Sequence, residues 1–249
     1  MREPISPLAV RDAWQRLAWA LLFASAMGML EAICVIYLRR LVLPAGGSGV
    51  VLPPIGRYPI EHIREACTLL MLLATACLAA SNWRSGLAFF FYMFGVWDIV
   101  YYVGLRWLAH WPASWTEWDC LFLIPEPWYG PVLAPMLISG YFILACGLLV
   151  LREDTAARLR LSAPVLGLQA IGFCLWYWSF VKDSDRIQAE GHCREFAAYL
   201  CGLPRCYGLS FTSTVSYSWP LLAAGLGIAM VGLWRSTRLP KTPAREPRR

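Results

Sequence analysis

Asp98, Tyr102 and Arg106 recur at intervals of four residues within Gly86–Leu108, a stretch that is otherwise apolar. On a helix this spacing puts a carboxyl, a phenol and a guanidinium on one face, with Tyr101 alongside. An ionisable carboxyl at membrane depth costs roughly 2.5–3.5 kcal/mol on insertion scales, so it needs a partner or a purpose. Asp98 and Arg106 would stand about 12 Å apart along the axis, too far for a direct pair but suited to a relay through tyrosine hydroxyls or water. Glu31 and Arg39, followed by Arg40, repeat the eight-residue spacing in an earlier apolar run. Glu31 and Asp98 are therefore the candidate acid/base or counter-ion groups. Arg39 and Arg106 are candidate contacts for anionic groups, and Tyr101, Tyr102, Trp118 and Asp119 are expected to line the mouth of a pocket. The plainer alternative is a buried ion-pair network that fixes helix register, with Glu31 and Asp98 meeting Arg39, Arg40, Arg64 or Arg106.

The elements that must position these groups are membrane spans. The chain of 249 residues is 58% hydrophobic and 15% charged, against about 45–50% and 25% in soluble domains. Runs of about 20 apolar residues recur along it, which predicts an all-α, polytopic helical bundle. Six spans are expected, over about 17–38, 66–83, 86–108, 131–151, 162–181 and 218–234, forming a single membrane domain with a basic tail at 235–249. The second span extends back through the amphipathic run Ile60–Glu65. Its link to the third, Ser81–Ser85, is short enough to force an antiparallel hairpin. Ala24 and Gly28, two turns and one turn before Glu31, would let a neighbouring helix approach closely.

The net charge of +6 does not form a nucleic-acid stripe. Arg235, Arg238, Lys241, Arg245, Arg248 and Arg249 crowd the last fifteen residues, which suits a cytoplasmic tail facing anionic headgroups. Cytoplasmic termini place thirteen Lys/Arg inside and nine outside, where nine loop acids offset them. Arginine outnumbers lysine twenty to two, a coding bias that points to a bacterial inner membrane. A cleavable leader ending at Ala24-Ser25-Ala26 competes with the first span, but apolar character continues to Leu38.

In this topology the outer loops, about 39–65, 109–130 and 182–217, hold the unusual residues. Ser114-Trp115-Thr116-Glu117 has the capping-box pattern and predicts a short interfacial or re-entrant helix over Trp115–Ile124, stopped by Pro125 and Pro127. A second amphipathic helix is expected over Ile187–Leu200. Cys193 and Cys201 would be about 12 Å apart in it, too far to bond one another. Either can reach Cys206, and Cys120 completes an even set of four disulfide candidates. His62, His110 and His192 are sparse and match no metal pattern, so no metal is expected and no cofactor is implied. No P-loop, G-x-S-x-G, H-E-x-x-H or paired-aspartate motif is present, and no internal repeat of the transporter kind. The readings left open are a pocket protein for a lipid-linked or amphiphilic small molecule, an accessory subunit bound to another membrane protein, and a small transporter.

Overall fold

The computed structural model describes residues 7–42, 57–153, 163–189 and 215–238. Over these the fold is all-α with one small hairpin. Helix α1 covers Pro7–Val42, α2 Arg57–Ala79 and α3 Trp83–Ala109. Strands β1, Trp118–Phe122, and β2, Trp128–Pro131, follow. Then come α4, Leu133–Glu153, α5, Ala163–Val181, the short α6, Ser184–Ala189, and α7, Trp219–Arg238. Five helical segments are long and apolar enough to cross a membrane: 12–37, 61–79, 83–109, 133–151 and 163–187. The sixth expected span forms α7, whose three glycines and polar end dilute its hydropathy.

The helices match the expected spans, with shifted ends that have local causes. Helix α1 has 36 residues, or about 54 Å against a hydrocarbon core of about 30 Å, so it extends past the core. Helix α2 begins in the amphipathic run before Ala66 and ends at Ala79, because Asn82 caps the next helix. The Asn82 side chain accepts from the backbone N–H of Arg84 at 3.0 Å and of Ser85 at 3.1 Å. The Ser85 hydroxyl answers by accepting from Asn82 N at 3.2 Å, which closes a capping box. At the cytoplasmic end of the predicted topology, Arg16 donates to the Ala79 carbonyl at 3.3 Å, meeting one of the acceptors a helix terminus leaves open. Helix α3 stops at His110, which takes the left-handed conformation with φ 56°.

Helix α3 is the centre of the bundle, parallel to α1 and antiparallel to α4. Leu17, Ala20, Ala24 and Met27 of α1 recur at helical spacing and bury against Ala88, Phe89, Tyr92, Met93 and Val96 of α3. Two crossings are close enough to require glycine. A Cβ on Gly28 would lie 2.6 Å from the Trp97 carbonyl oxygen, and one on Gly95 would lie 2.6 Å from that of Ser139 in α4. Helices α5 and α7 form a separate antiparallel pair, joined to α4 by Tyr141. Its hydroxyl lies 2.7 Å from Gln169 Oε1 and 3.2 Å from the Ala229 carbonyl, and Gln169 Nε2 donates to the same carbonyl at 3.0 Å.

The expected helix over Trp115–Ile124 is replaced by the hairpin. The capping box does not close: the Ser114 hydroxyl accepts from Thr116 N at 3.3 Å, Glu117 N donates to the Ser114 carbonyl at 2.9 Å, and the Glu117 carboxylate accepts from Ala113 N at 2.6 Å, one residue before the expected cap. A continuing helix would then use the Trp115 and Glu117 carbonyls for its next turn. Leu133 N takes the first at 2.7 Å and Val132 N the second at 2.9 Å. The chain leaves in extended form, and Trp118-Asp119-Cys120-Leu121-Phe122 pairs antiparallel with β2, with Asp119 opposite Gly130, Cys120 opposite Tyr129 and an irregularity before Phe122. Aromatic residues at both ends of the run favour a strand once the helical carbonyls are occupied. The expected helix over Ile187–Leu200 begins instead in α6, at Ser184; 190–214 lie outside the described residues.

Gly95→Leu should lower thermal stability by about 1–3 kcal/mol through overpacking at the α3–α4 crossing. Gly140→Ala, where an added Cβ meets nothing within 4 Å, should leave it unchanged or slightly raised. Melting curves of both variants in one mild detergent make the comparison, and equal losses would contradict the assigned crossing.

Candidate functional site

The buried carboxyls of the bundle gather toward the hairpin end, in two groups that face different helix pairs. The first is built on α1 and α2. Glu31 is 8% exposed, one turn beyond the close contact at Gly28. It forms an ion pair with Arg64 and accepts from the Thr68 hydroxyl at 3.3 Å. Arg64 also holds Glu61, three residues before it on α2, at 2.9 Å. Glu65 turns toward the hairpin, where its carboxylate accepts the Leu123 backbone N–H at 3.0 Å.

The second group is built on α3, α4 and β1. Asp98 is 8% exposed and faces α4, where the Ser139 hydroxyl donates to Oδ2 at 2.8 Å. Among the described residues it has no cationic partner. One turn further out on the same face, the fully buried Tyr102 donates to Asp119 of β1 at 3.1 Å. Tyr101 packs edge-on against Tyr102 at 4.9 Å and stacks on Trp97 at 6.3 Å. The arrangement holds one carboxyl between two helices through a hydroxyl donor and roofs it with a second carboxyl on a strand.

Compared with protein-family models, characterised proteins and solved structures, this chain matches none. The site therefore has to be read from its own geometry.

The two carboxyls singled out by spacing differ in chemistry. Glu31 is paired with a guanidinium, whereas among the described residues Asp98 has a hydroxyl donor and no cation. The structure brings Asp98, Tyr101, Tyr102 and Asp119 together. Arg106 departs from the expected face: it is exposed and donates to the Pro112 carbonyl in the loop that follows α3. The Tyr102 hydroxyl therefore reaches Asp119 and not Arg106. Trp118 also departs. Strand alternation turns it away from Asp119, and it packs edge-on against Tyr217 at 6.1 Å, beside α5 and α7. Arg39 lies in the last turn of α1, but its side chain is outside the described residues. Cys120 lies opposite Tyr129 in the hairpin, and its three candidate partners, Cys193, Cys201 and Cys206, are likewise outside. Cys34, Cys67, Cys77, Cys146 and Cys174 are free thiols.

Spacing alone passed over Ser139, Thr68 and Glu65. The sequence does carry a signal for Ser139, which interrupts the apolar run Leu133–Ile138 of α4. Tyr217, just before α7, shares a hydrogen bond with Ser179 at 2.9 Å. Burial pushes its phenol up to about 12, against the Ser179 hydrogen bond, which pulls it down.

Two outcomes follow. Glu31→Ala should destabilise at the low end of the roughly 3–5 kcal/mol of broken buried pairs, because Arg64 keeps Glu61. Combined with Arg64→Ala, the loss should fall well short of additive in a double-mutant cycle. For Tyr217, the folded state binds its proton more tightly than the unfolded one. Stability should therefore decline as pH rises from about 10 toward about 12, with a smaller decline in Tyr217→Phe, followed by melting across that window.

Proposed function

We propose that the chain is a multi-pass membrane protein of about six spans, with both termini in the cytoplasm of a bacterial cell. Its outward half binds or processes a lipid-linked or amphiphilic small molecule. The observation that supports this most directly is Asp98. A carboxyl within a span, buried beside Ser139 and with no cation among the described residues, has a cost that helix packing alone does not repay. Intramembrane ionisable groups of this kind mark ligand or proton sites.

The geometry narrows the ligand's chemistry. Arg64 is committed to Glu31 and Glu61, and Arg106 is turned to a loop carbonyl. Neither offers an anion a seat beside Asp98. The group that meets Asp98 is a donor, a hydroxyl or an amine, and Tyr101, Tyr102 and Asp119 stand at its outer side. A second reading, a non-catalytic accessory subunit bound to another membrane protein, is favoured by the Glu31–Arg64–Thr68 and Glu65–Leu123 contacts. These are satisfied internally and need no ligand. A carrier ranks below both.

Asp98→Asn keeps the shape and the Ser139 contact while removing the titratable group. The variant is expected to fold, to melt within a few degrees of wild type, and to lose a bound amphiphile that native mass spectrometry detects on wild-type protein. Early melting with nothing bound to either form would move the assignment to the accessory subunit.

A further inference from the structure

The contacts between helices set them at one common level, from which the inner ends, those away from the hairpin, can be measured. Asp98 of α3 meets Ser139 of α4, and Gly28 of α1 packs against the backbone of Trp97 and Tyr101. Tyr141, two residues inward of Ser139, meets Gln169 of α5 and the Ala229 carbonyl of α7. Going inward, the first charged residue on α1 is Arg16, twelve residues from Gly28. On α3 it is Arg84, fourteen from Asp98, and on α4 Arg152, thirteen from Ser139. At about 1.5 Å of rise per residue, these three stand about 18–21 Å inward of the common level. On α7 it is Arg235, only six residues from Ala229. With the offset of Tyr141 included, Arg235 stands about 12 Å inward. Helix α5 begins at a similar depth, at Ala163, six residues inward of Gln169.

The outer ends do not share this difference. The exposed Trp107 of α3, Trp178 of α5 and Trp219 of α7 stand about 14, 11 and 12 Å outward by the same count. Helix α7 is therefore short at its inner end and not displaced outward as a whole. Between Trp219 and Trp234, the exposed tryptophans at its two ends, it spans about 22 Å, against a hydrocarbon core of about 30 Å. A bilayer meets a short apolar stretch by thinning, by snorkelling of flanking side chains or by association of helices. Snorkelling is disfavoured for Arg235. Helix α7 runs inward, and the Cα–Cβ bonds of a helix tilt toward its N-terminus, here toward the bilayer centre. Trp234 and Arg235 are both exposed at the surface of the bundle.

We infer that the inner end of α7 is a docking surface for phospholipid headgroups, which sit about 6–9 Å deeper there than against α1, α3 and α4. The Arg235 guanidinium meets their phosphates, and Trp234 lies at the interface beside it. The inner leaflet is thinned on that side of the bundle. This inference rests on the six-span reading above, because it requires α7 to cross the membrane.

The test places the full chain in vesicles of dioleoyl phosphatidylethanolamine and dioleoyl phosphatidylglycerol, with a charged, membrane-impermeant maleimide on both faces. Peptide mass spectrometry reads each introduced thiol separately, so the native cysteines stay in place. Rates are scaled to those of the same thiol in unfolded protein. Trp234→Cys and Leu21→Cys form a matched pair, both about 10 Å inward of the common level. Their native side chains are 52% and 46% exposed. The thiolate is the reactive form and hydrocarbon excludes charge, so Trp234→Cys should react about tenfold or more faster than Leu21→Cys. Equal rates overturn the proposal. Adding Arg235→Leu should slow Trp234→Cys toward Leu21→Cys, and an unchanged rate overturns the assignment of headgroups to Arg235 in favour of a water-filled recess. Gly227→Cys lies at mid-span, where an added side chain meets nothing within 4 Å, and should stay unmodified. Rapid modification there would remove α7 from the membrane and sink the six-span reading itself, whereas equal slow rates at 234 and 21 with an unmodified 227 leave that reading standing.

Discussion

Hydrogen bonding to the hairpin ties four helices to one ribbon, twice through its backbone groups and twice through its carboxylates. Leu123, the residue that follows β1, presents its N–H, and Glu65 of α2 accepts it. Asp119 accepts from Tyr102 of α3. Glu126 in the connection accepts from Tyr177 of α5, and the Pro127 carbonyl accepts from Ser184 at the start of α6. A two-stranded ribbon is marginal by itself, so these contacts make the hairpin a consequence of the bundle as much as a cap upon it. They also determine where α5 stands. Phe180 packs directly over Gly130, where a side chain on that residue would meet its ring at 3.0 Å.

Within that frame the carboxyls divide by what compensates them. Glu31 and Glu61 share one guanidinium, so each has a cationic partner within the bundle. Glu65 has a backbone donor. Asp98 has a single hydroxyl. A buried ion pair is weak evidence of function because register alone can explain it. A buried carboxyl without a cation, held at a crossing that a glycine already makes tight, is not explained by register. Replacing Asp98 and Ser139 by small apolar residues would pack the same crossing at lower cost in the membrane.

Much of the bundle was legible because its signals are local. Apolar length gives the helices, four-residue spacing puts Asp98 and Tyr102 on one face, and Ala24 and Gly28 before Glu31 foretell the close approach of α1 to α3. Arg64 stood among the cations weighed for Glu31. The hairpin was not legible, because the S-x-x-E pattern at Ser114 reads as a capping box and instead forms a turn. What cancels the helix is competition from Leu133 N and Val132 N for the Trp115 and Glu117 carbonyls, donors that lie more than a dozen residues away in sequence. Arg106 misled for a related reason. Its position on α3 is as the spacing says, but a side chain that long reaches the Pro112 carbonyl, and helical periodicity places only the Cβ.

The separation between the Asp98–Ser139 pair and the Phe94–Phe142 ring contact is a consequence of antiparallel packing and not an added design. Because α3 and α4 run in opposite directions past the Gly95 contact, residues one turn inward on both helices, Phe94 and Phe142, meet below the level at which Asp98 meets Ser139. A single glycine crossing thus sets a polar contact above and an apolar one below. The rings at the lower level, being too large for a close helix pair, hold α5 away from α4. That arrangement follows from the order Phe94, Gly95, Asp98 along α3 and from the opposite direction of α4.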